Sequence, residues 1–195
     1  METIFARQAR KQKLREQQYN LIIGSLLGDA YLVKTTRGYA FRVNHGVRQK
    51  DYVDWKYKIL KDFVNSPPRF TESCYYFRTI SHPAFHCLRE QFYSDRKKVV
   101  PRDLIETEMN SFIMAVWIMD DGSKDGRQLR INSQSFNRDE NLFLQGVLYA
   151  KLGIKSTLNQ DKGKYRLRVS NESMARLRNL VTPYIVPSML YKLLP

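Results

Sequence analysis

The chain contains a diverged internal repeat, and this feature restricts the possible folds more than any other. Two apolar segments, residues 21–32 (LIIGSLLGDAYL) and 112–123 (FIMAVWIMDDGS), each end in an acidic turn. The same predicted elements follow each of them: a strand, a helix, a second strand, a further helix and a Val-Pro dipeptide. Repeats of this length are read as duplicated structural units. We therefore predict an α/β (α+β) protein made of two αββαββα halves related by a pseudo-two-fold axis.

The predicted halves cover residues 19–104 and 105–195, and residues 1–18 precede them as a basic helix or arm. The strand segments alternate between apolar and polar residues and are joined by short helices, so we expect antiparallel sheets with one apolar face. The two apolar helices have almost no polar face, which is typical of buried helices. We expect these helices to pack against each other at the centre of the molecule.

The charge balance indicates what kind of partner the protein binds. The chain has 33 Lys and Arg against 19 Asp and Glu, a formal net charge of +14. A field of this strength indicates a polyanionic partner, most simply a nucleic acid. The apolar runs are too short to predict a membrane span. The charged N-terminal stretch has no signal-peptide core, so we expect an intracellular protein.

Each apolar helix is predicted to end beside a carboxylate, Asp29 in the first repeat and Asp121 in the second. The C-terminal end of a helix carries partial negative charge, so a carboxylate there is unfavourable without cations. Hard divalent ions such as Mg²⁺ compensate for it through carboxylate, carbonyl and water oxygens. One such motif is adequately explained as a turn, but two at equivalent repeat positions favour a metal site.

Several strand segments present polar faces that lack Asp and Glu, whereas an ordinary solvated face mixes both signs. In the major groove, Arg and Lys side chains hydrogen-bond to guanine edges, and Asn and Gln side chains hydrogen-bond to adenine edges. We expect two such sheets to form a long DNA-binding saddle. The predicted DNA-binding residues are Arg42, Asn44, Arg78, Gln128, Arg130, Asn132, Lys164, Arg166 and Arg168.

The acidic segments also carry a family resemblance. IIGSLLGDA (22–30) and MAVWIMDDG (114–122) resemble the two copies of the LAGLIDADG motif of homing endonucleases, with the acidic position on Asp29 and Asp121. The similarity extends from about residue 19 to the end of the chain. Val116 and Ala30 stand where the motif often has glycine, but neither difference removes a chemical group.

The resemblance implies a monomeric, site-specific double-strand DNA endonuclease of the intron-homing type. Such an enzyme cuts a long asymmetric site across the minor groove and leaves short 3′ overhangs. The resemblance also implies two or three Mg²⁺ ions, with Mn²⁺ as a substitute. Their implied ligands are Asp29, Asp121 and the backbone carbonyls of Ala30 and Gly122.

Further active-site residues are carried over from the resemblance. It assigns the active-site cations to Lys98 and Lys192, with Lys97 as a competitor of Lys98. Gln134 ends one predicted strand, and His45 or Asn44 ends the matching strand in the first half. These residues are candidates for positioning water or metal ligands.

Other interpretations stay open at this stage. The same family includes RNA maturases that assist group I intron splicing, which would make an intron RNA a partner, and the fold also suits a non-catalytic DNA-binding regulator. The compartment is open between an organelle, either mitochondrion or chloroplast, and a bacterial cytoplasm. The target sequence is not predictable, because base readout depends on side-chain geometry and DNA deformation.

Overall fold

The computed structural model describes residues 3–161 and 163–193, which form two compact units. One unit ends at Gln91, and the other begins at Phe92. The functional boundary expected between residues 104 and 105 remains a prediction. Among the helices of the described residues, none combines the length and the apolar character needed to cross a bilayer.

The first unit is built around an antiparallel sheet with the strand order β1-β2-β4-β3. Single 3₁₀ turns follow β2 and α3. Its elements are α1 (Ile4–Ala9), α2 (Glu16–Leu27), β1 (Tyr31–Thr35), β2 (Gly38–Gly46), α3 (Lys50–Leu60), β3 (Arg69–Phe70), β4 (Cys74–Ser81) and α4 (Pro83–Phe92).

The second unit has a sheet of the same topology, with the strand order β7-β8-β10-β9, also antiparallel. The duplicated, antiparallel architecture predicted from the repeat is therefore confirmed. The elements are β5 (Tyr93–Ser94), β6 (Lys97–Lys98), α5 (Arg102–Glu108), α6 (Ser111–Asp121), β7 (Gly122–Asp125), β8 (Gln128–Ile131), α7 (Arg138–Leu152), β9 (Ser156–Asp161), β10 (Lys164–Val169) and α8 (Met174–Val181).

Each sheet has four strands, as the predicted αββαββα order requires, but the sequence analysis located only two of them in each half. The strands that it did not locate shorten the predicted apolar helices. Helix α2 ends at Leu27 because Gly28 leaves the helical region, with φ −100° and ψ −134°. Strand β1 then begins at Tyr31, inside the segment expected to be helical. In the second unit β7 begins at Gly122, directly after α6. The helical interpretation of residues 21–32 and 112–123 was therefore wrong at its C-terminal ends.

Helix α6 shows why an apolar segment of this kind becomes a buried helix. Asn110 caps its N-terminus, and the Oδ1 atom accepts from the N–H groups of Phe112 and Ile113, both at 3.0 Å. Every residue from Ile113 to Asp120 is buried. The helix ends at Gly122, where a Cβ atom would lie 2.5 Å from the carbonyl oxygen of Ile118. Only glycine allows this close approach of the chain to the last turn.

Candidate functional site

The first motif acid, Asp29, lies in the turn between α2 and β1, two residues beyond the end of the helix. Its side chain is 48% exposed, so solvent and charged ligands reach it. The next residue, Ala30, is buried, and its N–H donates to the carbonyl of Ser25 at 3.0 Å. The chain thus turns tightly off a buried helix and presents a carboxylate at the helix end.

A buried imidazole stands beside this carboxylate. His45 lies on the apolar face of β2, and its Nδ1 atom is 3.7 Å from Asp29 Oδ2. Its Nε2 atom is 3.4 Å from Nζ of Lys56, a residue of α3 whose exposed fraction is 0%. Asn44, the alternative candidate, is exposed on the opposite face of the strand. Sequence reasoning named His45 but missed Lys56, although a lysine at a core position of an amphipathic helix is a signal.

The second motif acid, Asp121, is the last residue of α6 and is half-buried, whereas the preceding Asp120 is buried. The backbone carbonyl of Asp121 accepts from the N–H of Asn132 at 3.0 Å, which ties the helix end to the residue after β8. Asp29 and Asp121 therefore hold comparable places in their own units, at or just beyond the end of an apolar helix and before the first strand of a sheet.

Lys192, one of the two predicted active-site lysines, is buried and caps α6. Its Nζ atom donates to the carbonyl oxygens of Met119 at 2.5 Å and Asp120 at 3.0 Å, and it lies 3.4 Å from that of Ile118. Carbonyl groups in the last turn of a helix carry its negative dipole end, and that of Ile118 also accepts from the N–H of Gly122. The ammonium group is therefore held one residue from Asp121, and its catalytic role remains a prediction.

The other predicted lysine lies on a hairpin that the sequence analysis missed. Lys98 is in β6, paired with Tyr93 of β5, and it is half-buried. Its competitor, Lys97, is exposed. Neither observation tests which of the two acts at an active site, so the assignment to Lys98 stays a prediction.

The polar face of the first sheet lines a basic cleft of about 700 Å³. The predicted alternation is observed here, since Phe41 and Val43 are buried while Arg42 and Arg78 point the other way. The guanidinium of Arg42 lies 4.9 Å from the ring centre of Tyr76 and 5.9 Å from that of Tyr31, so both rings stabilise it through cation–π contacts. The arginines that line the cleft are Arg10, Arg37, Arg42, Arg69 and Arg78.

The second sheet shows the same alternation on β8 and β10. Leu129, Ile131, Leu167 and Val169 are buried. The opposite face carries the predicted contacts Gln128, Arg130, Lys164, Arg166 and Arg168, which are half-buried or exposed. The strands that were predicted to contact DNA therefore present continuous polar faces.

Residues 132–134 depart from the expected strand. Strand β8 ends at Ile131, and the N–H of Ser133 donates to the carbonyl of Ile131 at 2.9 Å, which closes a tight turn. The fully buried Ser133 hydroxyl then donates to Oδ1 of Asn141 on α7. In the amide orientation that satisfies both of its polar groups, Gln134 donates to the Asn132 carbonyl at 3.1 Å and accepts from Nε of Arg166 at 3.0 Å. Gln134 therefore lies beside an arginine of the basic face, and its role at an active site stays a prediction.

An acidic residue missed by the sequence analysis lies within this basic face. Asp125, at the end of β7, places Oδ2 2.7 Å from Nη2 of Arg130 and 2.9 Å from Nε of Arg168. The expectation that the face lacks acidic residues was therefore wrong, because β7 was not recognised as a neighbouring strand. The Asp-Gly dipeptide at 125–126 was the available signal, since it is a common hairpin turn and Gly126 has φ +62°.

Both sheets place two arginines directly opposite each other. Arg42 pairs with Arg78 across β2 and β4, and Arg130 pairs with Arg168 across β8 and β10. Like charges at directly opposite positions destabilise a sheet. In the second sheet the carboxylate of Asp125 offsets part of this repulsion, and in the first the rings of Tyr31 and Tyr76 lie against Arg42. Both faces keep an excess of positive charge, which suits an anionic partner.

Comparisons with known proteins match most of the chain. The model of the LAGLIDADG DNA endonuclease family matches residues 19–177. A probable intron-encoded endonuclease from Wickerhamomyces canadensis is 29% identical over 93% of this chain and 85% of its own length. A cytochrome b mRNA maturase, bI2, from Debaryomyces hansenii is 30% identical over 92% of this chain and 74% of its own length. The homing endonuclease I-WcaI, solved bound to its DNA recognition sequence, superposes with a TM-score of 0.88 and 28% identity, covering 97% of this chain and 90% of that one.

Proposed function

This chain belongs to the LAGLIDADG DNA endonuclease family, and from that membership we propose that it is a site-specific double-strand DNA endonuclease of the intron-homing type. The observation that carries the proposal is the equivalent placement of Asp29 and Asp121. Each lies at or beside the end of an apolar helix, directly before a sheet whose polar face bears a cross-strand arginine pair. The likeness to I-WcaI over nearly the whole chain supports it.

We further propose that Asp29 and Asp121 provide carboxylate oxygens for Mg²⁺, with Mn²⁺ as a substitute. The donors fit a hard divalent cation, because both carboxylates are partly accessible and lie next to backbone carbonyls of Ala30 and Gly122. A cation bound there supplies electrostatic stabilisation of the charge that develops on the phosphate being cut. The number of ions is proposed as two or three.

The remaining site residues bind and orient the DNA in this proposal. The two arginine pairs neutralise phosphates or read guanine edges. Lys98 and Lys192, which both belong to the second unit, supply positive charge for the phosphate being cut, and α6 holds the ammonium of Lys192 in place. The substrate is a long asymmetric duplex, cut by a monomer across the minor groove to leave 3′ overhangs. The compartment is an organelle or a bacterial cytoplasm.

A plasmid cleavage assay tests the proposal. The substrate joins the DNA sequences that flank this reading frame, and cutting is followed in Mg²⁺, in Mn²⁺ and in EDTA. Asp29→Asn and Asp121→Asn should each slow cleavage by at least about a hundredfold, since each removes a charged ligand. Asp103→Asn, at an exposed position of α5, is the matched control and should leave the rate unchanged. Parental rates in both motif variants would overturn the mechanism.

RNA maturation is the second candidate, and the likeness to the Debaryomyces hansenii maturase supports it. A splicing assay with the host intron RNA separates the two activities. If the chain is a maturase, splicing should survive Asp29→Asn while DNA cutting is lost. If the chain is a non-catalytic regulator, it should bind one duplex specifically and leave it uncut in Mg²⁺.

A further inference from the structure

Lys56 is the least expected residue of the first unit. It lies on α3, and its exposed fraction is 0%. Burying an ammonium group without compensation is costly, so buried lysines are found where specific partners hold them. Full burial also prevents Lys56 from contacting DNA phosphates, the ordinary role of a lysine in a protein of net charge +14.

The partners of Lys56 lead towards the motif acid. Its Nζ atom is 4.4 Å from the ring centre of Tyr52, a cation–π contact, and 3.4 Å from Nε2 of His45. Tyr52 also packs against the imidazole, with ring centres 5.2 Å apart. The other imidazole nitrogen, Nδ1, lies 3.7 Å from Asp29 Oδ2. A chain of contacts thus runs from a buried ammonium through an imidazole to a half-exposed carboxylate.

We propose that Lys56 is a positioning residue that fixes the tautomer of His45 and thereby holds the carboxylate of Asp29; this rests on the proposed function of Asp29. An ammonium group has three donors and no acceptor. Nε2 of His45 therefore accepts from Lys56, and the imidazole proton resides on Nδ1, facing Asp29. An Nδ1 that carries a proton cannot ligate a metal, so His45 orients the carboxylate and is not itself a ligand.

This arrangement explains why the ammonium is buried. The Nδ1–H group attracts one carboxylate oxygen of Asp29, and the carboxylate rotates less freely as a result. Groups that orient metal ligands in this way typically change metal affinity by about 10- to 100-fold when they are removed. Lys56→Met keeps a similar side-chain volume but removes the donor to Nε2. The imidazole is then free to exchange tautomers.

The first measurement uses the metal-free protein and does not depend on activity. The chain has three histidines, so ¹⁵N spectra of histidine-labelled protein are simple to assign. We expect His45 in the Nδ1–H form in the wild type and a mixture of both tautomers in Lys56→Met, because the Asp29 carboxylate still favours a proton on Nδ1. His82 is an internal control, because its Nε2 lies 2.9 Å from the carbonyl of Gln12 and must carry the proton in both proteins. An Nδ1 of His45 without a proton in the wild type overturns the proposal, whether or not the variant folds.

The second measurement is the Mg²⁺ dependence of cleavage. Lys56→Met should raise the Mg²⁺ concentration at half-maximal rate by about tenfold or more, with DNA binding in EDTA unchanged. Two controls lie on α3: Lys58→Met removes an exposed charge, and Val53→Ala weakens the buried face. Neither should change the Mg²⁺ requirement. A positioning role is contradicted if Lys56→Met keeps the wild-type Mg²⁺ requirement. It is also contradicted if the control variants shift the Mg²⁺ requirement by the same factor as Lys56→Met. Absence of cleavage by the wild type contradicts the proposed function but leaves the tautomer test intact.

Discussion

The two halves share a strand order but support their arginine pairs with different chemistry. In the first sheet Arg42, opposite Arg78, lies against the rings of Tyr76 and Tyr31. In the second sheet Arg130 and Arg168 share one carboxylate oxygen of Asp125. Aromatic support leaves the full positive charge for a ligand, whereas the carboxylate neutralises part of it. The first face is therefore expected to bind phosphate more strongly, and the second to bind more selectively.

The strand–helix junctions behind the sheets also differ between the halves. In the first half, the side chain of Lys56 contacts the imidazole of His45. The second uses a neutral pair: the buried Ser133 hydroxyl donates to Asn141, whose amide donates to three backbone carbonyls. Duplication preserved the topology because the hydrophobic alternation was kept, and the polar contacts then diverged separately in each half.

The largest expected effect comes from breaking the neutral junction. Asn141→Leu removes the amide donor to the carbonyls of Ser133, Phe136 and Asn137 and the acceptor of the Ser133 hydroxyl. The carbonyls of Ser133 and Asn137 keep backbone donors, the N–H groups of Phe136 and of residue 141, so the Phe136 carbonyl and the Ser133 hydroxyl lose most. Each such loss costs about 1–3 kcal/mol, so the free energy of unfolding should fall by about 2 kcal/mol or more. Urea unfolding followed by circular dichroism measures it. A loss below about 1 kcal/mol would mean that these contacts contribute little to the second half.

The next effect concerns the lysine cap of α6. Lys192→Met removes the donor to the carbonyls of Met119 and Asp120. A charged hydrogen bond at a helix C-terminus contributes about 1–2 kcal/mol, and the free energy of unfolding should fall by a similar amount. Lys155→Met, which removes an exposed lysine of the same unit, is the control and should change stability little. Equal losses in both variants would show that the cap is not stabilising.

The contrast between the two arginine pairs is tested by DNA binding. Asp125→Asn frees Arg130 and Arg168 and should raise affinity for nonspecific DNA by up to about fivefold, as expected for partly exposed ion pairs. Tyr76→Leu removes the ring beneath Arg42 and should lower affinity for all duplexes by a similar factor. Fluorescence anisotropy at two salt concentrations measures both changes in affinity. The proposed difference between the two faces is contradicted if Asp125→Asn weakens binding to nonspecific DNA.

The smallest effect is a pH dependence confined to the first half. Burial lowers the pKa of His82 below its usual 6.5, and Arg10 adds to this, while the hydrogen bond to the Gln12 carbonyl opposes it. The unfolded chain therefore binds more protons than the folded protein below pH 6.5, and stability falls as pH decreases through that range. We expect a small loss of stability between pH 7 and pH 5.

Chemical unfolding of the wild type and of His82→Gln at both pH values measures this dependence, and the variant should show a smaller loss. In the second half, the polar group between the last strand and the last helix is the Ser173 hydroxyl. It accepts from the N–H of Lys155 and does not titrate in this range. A loss of equal size in His82→Gln would assign the pH dependence to other groups.

Local patterns were sufficient for much of the architecture. Local sequence signals define both ends of helix α7, because Asn137 and Glu140 form a capping box and Gly153 adopts a left-handed conformation. The short strands β1 and β7 were missed for different reasons: β1 continues the apolar character of α2, whereas β7, with the sequence GSKD, has no apolar alternation. Asp125 was missed with β7, because its partners come from two other strands.

The sequence by itself determined the duplication, the antiparallel sheets, the two motif acids and the four arginines that form cross-strand pairs. Those features follow from short-range periodicity and charge, which depend only on neighbouring residues. Only the tertiary structure placed Lys56 behind His45, Lys192 on the carbonyls of α6 and Asp125 between two arginines. Such contacts join residues far apart in the chain. Their geometry is decided by how helices pack on sheets, which no local pattern specifies.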